Sequence, residues 1–244
     1  MTDHRLQAEK LFSQDTQFLN YVREWWGSLL PVSLVDLTNH GRDTGKLAIM
    51  SIDLIKGFAV EGPLASPKIA AIVPSVVELF ESAYAMGVRE FLLFEDSHPK
   101  DSPEFEAFGP HCAAGSVEAE TVDEIMALPF SDEFVTFPKE SLSPAIGTGF
   151  DEWMDQKPEI ASVIVVGDCT DLCVYQLAMH LRMRANATRR DLEVIVPEDC
   201  VQTYHLSVAD AEAIRAMPHD GGLLHPLFLY HMALNGVRVA ERVV

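Results

Sequence analysis

Residues 161–168 read ASVIVVGD and residues 171–185 read DLCVYQLAMHLRMRA. The first is a short continuous apolar run that closes on Gly-Asp, which predicts a buried strand. The second repeats apolar residues at helical spacing and predicts a helix. A buried strand that feeds a helix after a two-residue turn is one half of a crossover unit. The same pattern recurs on both sides. KLAIMSID (46–53), VREFLLFED (88–96), FVTFPKE (134–140), DLEVIVPED (191–199) and VRVAERV (237–243) read as strands. PKIAAIVPSVVELFESAYAMG (67–87), a segment around 207–216 and another at 222–235 read as helices, the first with a Gly stop. Apolar strands alternating with helices imply right-handed crossovers and a mainly parallel sheet covered on both faces, an α/β fold.

Outside this pattern stand the first 45 residues. Leu11, Phe18 and Trp25 recur at seven-residue intervals, with Leu19, Val22 and Trp26 beside them. This spacing predicts an amphipathic helix of about six turns that covers the domain or a second subunit. Residues 1–45 therefore read as an N-terminal helical extension, and residues 46–244 as one domain.

The chain of 244 residues can bury a substantial core without disulfides. Its formal charge of −19 repels phosphate backbones and anionic membrane surfaces, so nucleic acid and membrane are not expected partners. No apolar stretch is read as approaching the length of a membrane span. The opening MTDHRLQAEK is polar and lacks the basic and apolar regions of a signal peptide, which predicts a cytoplasmic protein with reduced cysteines.

In parallel sheets ligands bind beyond the carboxyl ends of the strands. Asp53, Asp96 with His98, Lys139, Cys169 with Cys173, and Asp199 with Cys200 occupy those positions. Cys173 is the leading nucleophile. It opens a helix after Thr170 and Asp171, either of which could cap it, and helix N-terminal amides favour a thiolate. Two other readings stay open for these residues: an inert buried thiol, and a Cys169–Cys173 disulfide or metal pair. Asp53 is placed to take a thiol proton, and Lys139 to hold both partners charged. The loop EDSHPKDSPEFEAFGPHC (95–112) carries Asp96, His98 and His111. One carboxylate and two imidazoles suit a divalent transition metal with open positions, such as Zn, Fe or Mn.

VVGDCTDLCVYQLA (165–178) resembles the Gly-x-x-Thr-Asp-x-Cys-Val block of the isochorismatase-like cysteine hydrolases, with Cys173 as nucleophile. SIDLIKGF (51–58) and FPKE (137–140) resemble the segments that supply that superfamily's Asp and Lys, here Asp53 and Lys139. Asp96-Ser97-His98-Pro99 and Pro110-His111-Cys112-x-x-Gly115-Ser116-x-x-Ala119-Glu120 resemble the metal segment of its nicotinamidase branch. The order of motifs agrees from about residue 46 to 205. Ile55 stands where the superfamily often has Gln, and Asp168-Cys169 where a small or aliphatic pair precedes Thr-Asp.

The resemblance implies a three-layer sandwich with a six-stranded, mainly parallel sheet, and hydrolysis of nicotinamide to nicotinate and ammonia through a cysteine thioester. It implies an oxyanion hole from the amides of Cys169 and Cys173 and a cis peptide between Asp168 and Cys169. It also implies one divalent ion on Asp96, His98 and His111 that takes the pyridine nitrogen, with Phe58 and Phe108 as walls of the ring pocket. A small-molecule amide substrate and a homo-oligomer are expected. Two alternatives are a metal-independent cysteine amidohydrolase acting on a carbamoyl or ureido compound, and a non-catalytic small-molecule binding protein. A dinucleotide-dependent dehydrogenase is disfavoured, because LIKGFAVEGP (54–63) after the first strand has no Gly-x-Gly-x-x-Gly cradle.

Overall fold

A computed structural model describes residues 16–39 and 41–244. Its strands are β1 (Leu47–Ile52), β2 (Glu90–Asp96), β3 (Val135–Lys139), β4 (Ser162–Asp168), β5 (Glu193–Pro197), β6 (Val201–Gln202) and β7 (Arg238–Ala240). The longer helices are α1 (Thr16–Trp26), α2 (Val73–Met86), α3 (Phe150–Gln156), α4 (Cys173–Thr188), α5 (Val208–Ile214) and α6 (Gly221–Leu234). The strands lie in the order β3-β2-β1-β4-β5-β7, with the two-residue β6 paired to the end of β4. Every pair is parallel. The six-stranded parallel sheet between helices is thus present, with β6 as a short addition.

The sheet is apolar on both faces because both are covered. All six residues of β1 are buried. Ala48, Met50 and Ile52 face one core with Val174, Leu177, Ala178 and Leu181 of α4. Leu47 and Ile49 face the other, with Val73, Val76, Leu79, Phe80 and Ala83 of α2. The chain runs outward from β1 through β2 to β3, then returns to the other side of β1 as β4. The strand order therefore reverses between β1 and β4, and the crevice beyond those two strand ends is where an open parallel sheet binds its ligands. Gly167 lets the two strands approach there: at φ +109, a Cβ on it would run into the backbone of Ile52.

The predicted 67–87 helix is two pieces. Ser66 caps a single turn at Pro67–Ala70, the chain turns at Ala71–Ile72, and α2 then ends on Gly87 in the left-handed region. By length and composition, Pro67–Met86 is apolar enough to span a membrane, which corrects the reading that no stretch is. Its apolar residues are spent on the core against β1 and β2.

The extension forms α1, of 11 residues. Leu11 lies outside the described residues, and the described part of the helix is about three turns rather than six. It packs through Trp25 on Tyr230 of α6, ring centroids 5.3 Å apart, and through Trp26 on His225 at 6.0 Å. Val22 is its one fully buried residue, while Phe18 and Leu19 stay exposed.

Candidate active site

Three strand ends and one helix start converge on the crevice. Asp53 follows β1 with a positive φ of 55, and its Oδ1 accepts the backbone N–H of Asp96 at 2.9 Å. Lys139 ends β3 beside Asp96 in register. Its ammonium is fully buried, 2.8 Å from Asp53 Oδ2, hydrogen-bonded to Asp96 Oδ1, and 3.5 Å from Cys173 Sγ. Cys173 is the first residue of α4. The sequence-predicted trio of Asp53, Lys139 and Cys173 is thus one contact group. Asp199 and Cys200 are not part of it. They lie in a turn after β5, and Cys200 packs into the core on the α2 side.

The charges in this group decide where the proton rests. Burial, and then the neighbouring Asp96 carboxylate, push Asp53 up to about 7 against the pull of Lys139. Burial likewise raises the Cys173 thiol well above its ordinary value, although Lys139 draws it down. This reverses the expectation of a depressed thiol: desolvation of the anion outweighs the helix N-terminus. The resting pair is therefore a thiol beside a carboxylate that titrates near neutrality, the range in which a base works best at neutral pH. Asp96 behaves in the opposite way. Burial alone would raise it, but Lys139, His111 and His98 hold it well below the usual carboxylate range.

Neither Thr170 nor Asp171 caps α4. Its N-cap is Leu172, with no side-chain bond. The two residues are instead braced from the C-terminal part of the chain. Thr170 Oγ1 meets His225 Nδ1 at 2.9 Å. Asp171 accepts Thr203 Oγ1 at 2.5 Å and faces His219 Nε2 at 2.7 Å. His219 in turn bonds the Tyr204 carbonyl and stacks on the Tyr204 ring at 3.8 Å. Among the described residues, the amides of Cys169 and Cys173 have no backbone acceptor, so both are free to meet an oxyanion. The peptide between Asp168 and Cys169 is cis.

The loop after β2 brings its ligand candidates to the same crevice. Asp96 Oδ2 lies 3.5 Å from His98 Nε2 and 3.8 Å from His111 Nε2. Glu104 completes a set of four whose ligand atoms lie within 4.8 Å of one another. The set fits a divalent cation. His98 Nε2 and Glu104 Oε1 are buried without a hydrogen-bond partner. His111 Nδ1 donates to the Gly109 carbonyl at 2.8 Å, which fixes the ring with Nε2 turned toward the cluster. Ser102 Oγ approaches His98 Nδ1 at 3.4 Å in the same sense. Sequence reading missed Glu104. Its spacing from His98 has no periodic signature, and only the turn at Ser102–Glu104 swings it inward.

Both halves open into one cavity of about 580 Å³. Asp53, Asp96, Glu104, His111, Asp168, Cys169 and Cys173 line its floor, and Phe58 and Phe108 are among its walls as expected. Phe58 lies 5.9 Å from the His111 ring and Phe108 lies 6.3 Å from it. Leu142, Tyr204, Leu206 and Met217 also line the cavity and were not anticipated.

Residues 47–224 match the Isochorismatase domain family, and the chain belongs to it. Nicotinamidase 1 of Arabidopsis thaliana is 29% identical over 216 residues, which cover 81% of this chain and 86% of that protein. Among solved structures, an N-carbamoylsarcosine amidase from Thermoplasma acidophilum is 25% identical, with a TM-score of 0.59 over 80% of this chain and 96% of its own. A nicotinamidase from Bacillus subtilis shares the fold at 22% identity, with a TM-score of 0.64 over 80% and 99% of the two chains.

Proposed function

We propose that this isochorismatase-family hydrolase converts nicotinamide to nicotinate and ammonia. The observation that carries the reading is the shared cavity. The four-ligand cluster of buried Asp96, His98 and His111 with half-buried Glu104 opens into the same space as the Asp53–Lys139–Cys173 group. A ring nitrogen held at the first and a carboxamide carbon presented to the second describe a pyridine carboxamide.

In this reading Asp53 takes the Cys173 proton as sulfur attacks the carboxamide carbon. Lys139, in contact with Asp53 and Cys173, steadies the negative charge as it moves from carboxylate to sulfur. The free amides of Cys169 and Cys173 receive the oxyanion. Asp53 passes its proton to the nitrogen, the C–N bond breaks, and ammonia leaves a thioester on Cys173. A water, its proton taken by Asp53, attacks the thioester carbon, and the acid departs with the thiol restored. One divalent ion per chain (zinc, iron or manganese) on the four ligands would supply a positive acceptor for the ring nitrogen. Phe58 and Phe108 flank the ring.

Ammonia release from nicotinamide, pyrazinamide, N-carbamoyl amino acids and ureido acids, together with elemental analysis of the purified protein, tests the assignment. Fastest turnover of nicotinamide by metal-bearing enzyme is expected. A metal-free enzyme that prefers a carbamoyl compound, the substrate class of the Thermoplasma relative, overturns it.

A further inference from the structure

The end of β4 holds a buried acid that neither the thiol chemistry nor the cation cluster uses. Asp168 is 1% exposed and directly precedes Cys169. Its Oδ2 accepts the Cys169 thiol at 3.6 Å, but Oδ1 is buried and has no partner. Unpaired buried polar atoms are rare in native proteins, and one at the wall of a cavity calls for a partner from that cavity. Asp168 lines the same cavity as Asp53, Cys169 and Cys173.

Register places it beside Asp53. Ile52 of β1 lies beside Gly167 of β4, so Asp53 and Asp168 occupy the next positions of adjacent parallel strands. Both side chains line the one cavity together with Cys173. A carboxamide carbon under attack from Cys173 directs its oxygen toward the amides of Cys169 and Cys173. Its nitrogen must then face the remaining side, where the two aspartates stand. Burial, and then the Asp53 charge, raise Asp168 well above an ordinary carboxyl, so it stands beside Asp53 as a neutral acid whose carbonyl oxygen can still accept an N–H.

We propose that Asp168 contacts the substrate, its Oδ1 accepting an N–H of the scissile primary carboxamide, and that it selects amides with a free NH2 group over esters and N,N-disubstituted amides. The inference rests on amide hydrolysis at Cys173 but not on nicotinamide as the substrate. An ester oxygen brings a lone pair where Asp168 requires a hydrogen, and sites built around a substrate N–H reject analogues that lack it.

The test compares kcat/KM for the best primary amide of the ammonia-release panel with that for its methyl ester, in wild type, Asp168→Leu, Asp168→Ala and Asp168→Asn. If the best substrate is a carbamoyl compound, the matching O-methyl carbamate replaces the methyl ester. The nicotinamide assignment then fails while the comparison stands. Asp168→Leu, or Asp168→Ala where leucine does not fold, is expected to lower the amide-to-ester ratio by about tenfold or more. Asp168→Asn keeps an acceptor at the same place and is expected to restore most of the ratio. Equal losses on amide and ester, or a ratio that does not move, would show a merely structural role and overturn the proposal. Wild-type turnover of esters with none of any primary amide overturns it as well.

Discussion

The two halves of the site are built from different materials. Asp53, Lys139 and Cys173 sit on strand ends and a helix start: Asp53 follows the fully buried β1, Lys139 ends the edge strand β3, and Cys173 opens α4. His98, Glu104 and His111 sit in an irregular segment whose backbone is held by turns and by one bridge, His98 to Ala113. The thiol half is fixed before any ligand arrives, because sheet register sets its distances. The cation half keeps two buried polar atoms without partners, so an ion would complete it. Asp96 joins them, giving Oδ1 to Lys139 and Oδ2 to the imidazoles.

If the thiol half carries the chemistry, the largest effects lie there. Cys173→Ala should lower turnover by at least ~10³-fold with little loss of stability, because it removes the bond-forming atom and only one sulfur from the core. Iodoacetamide should label Cys173 faster than Cys112 or Cys200, whose thiols burial raises and which touch no lysine. Lys139→Met should abolish turnover too, but also cost about 3–5 kcal/mol in urea unfolding, since it strands the buried carboxylates of Asp53 and Asp96. Retained turnover in Cys173→Ala, or a Lys139→Met protein of unchanged stability, would remove the basis for treating the trio as one unit.

The cation half should respond in binding rather than in chemistry. His98→Ala and His111→Ala are expected to lose the divalent ion and raise KM for nicotinamide, with a smaller fall in kcat. Glu104→Gln removes the ligand charge but keeps the shape, and should weaken metal affinity about 10-fold or more. Calorimetric titration with zinc distinguishes these outcomes. Equal zinc affinity in Glu104→Gln and wild type would reduce the cluster to the three ligands named from sequence.

The same contrast explains what the sequence made legible. Strand periodicity and the strand-end rule together located Asp53, Asp96, Lys139 and Cys173, because regular structure converts spacing into position. Glu104 escaped, since a loop obeys no period, and His111 was reached only through its local motif. The cap assignment failed for a related reason. Thr170 and Asp171 look like helix caps by position, but their partners, His225 and His219, are some fifty residues further on. Neighbouring residues do not reveal a side chain that a later loop or helix delivers. The thiol pKa was misjudged because the helix terminus is visible in the sequence and the depth of burial is not.

The brace around Asp171 gives the smallest effect and the clearest sign. Burial opposes charge on both partners, but the hydrogen bond between them wins. Asp171 lies below its ordinary 3.8 through His219 and Thr203, and His219 lies above its ordinary 6.5 through Asp171. A lowered carboxyl contributes stability above its unfolded value and loses it as pH falls through its folded value. A raised imidazole contributes fully below 6.5 and loses it as pH climbs through its raised value. The pair therefore stabilises most between the ordinary carboxylate and imidazole ranges. His219→Asn should cost about 1–2 kcal/mol there, the scale of a charged hydrogen bond. The difference in melting temperature between wild type and His219→Asn should be largest between the ordinary carboxylate and imidazole ranges and shrink as pH climbs through the raised value of His219. Thr203 and the backbone still hold Asp171 in the variant, so the alkaline protein should approach wild type in both stability and kcat. A difference that stays constant from acid to alkaline pH would mean that His219 braces the nucleophile loop by its stacking on Tyr204 rather than by its charge.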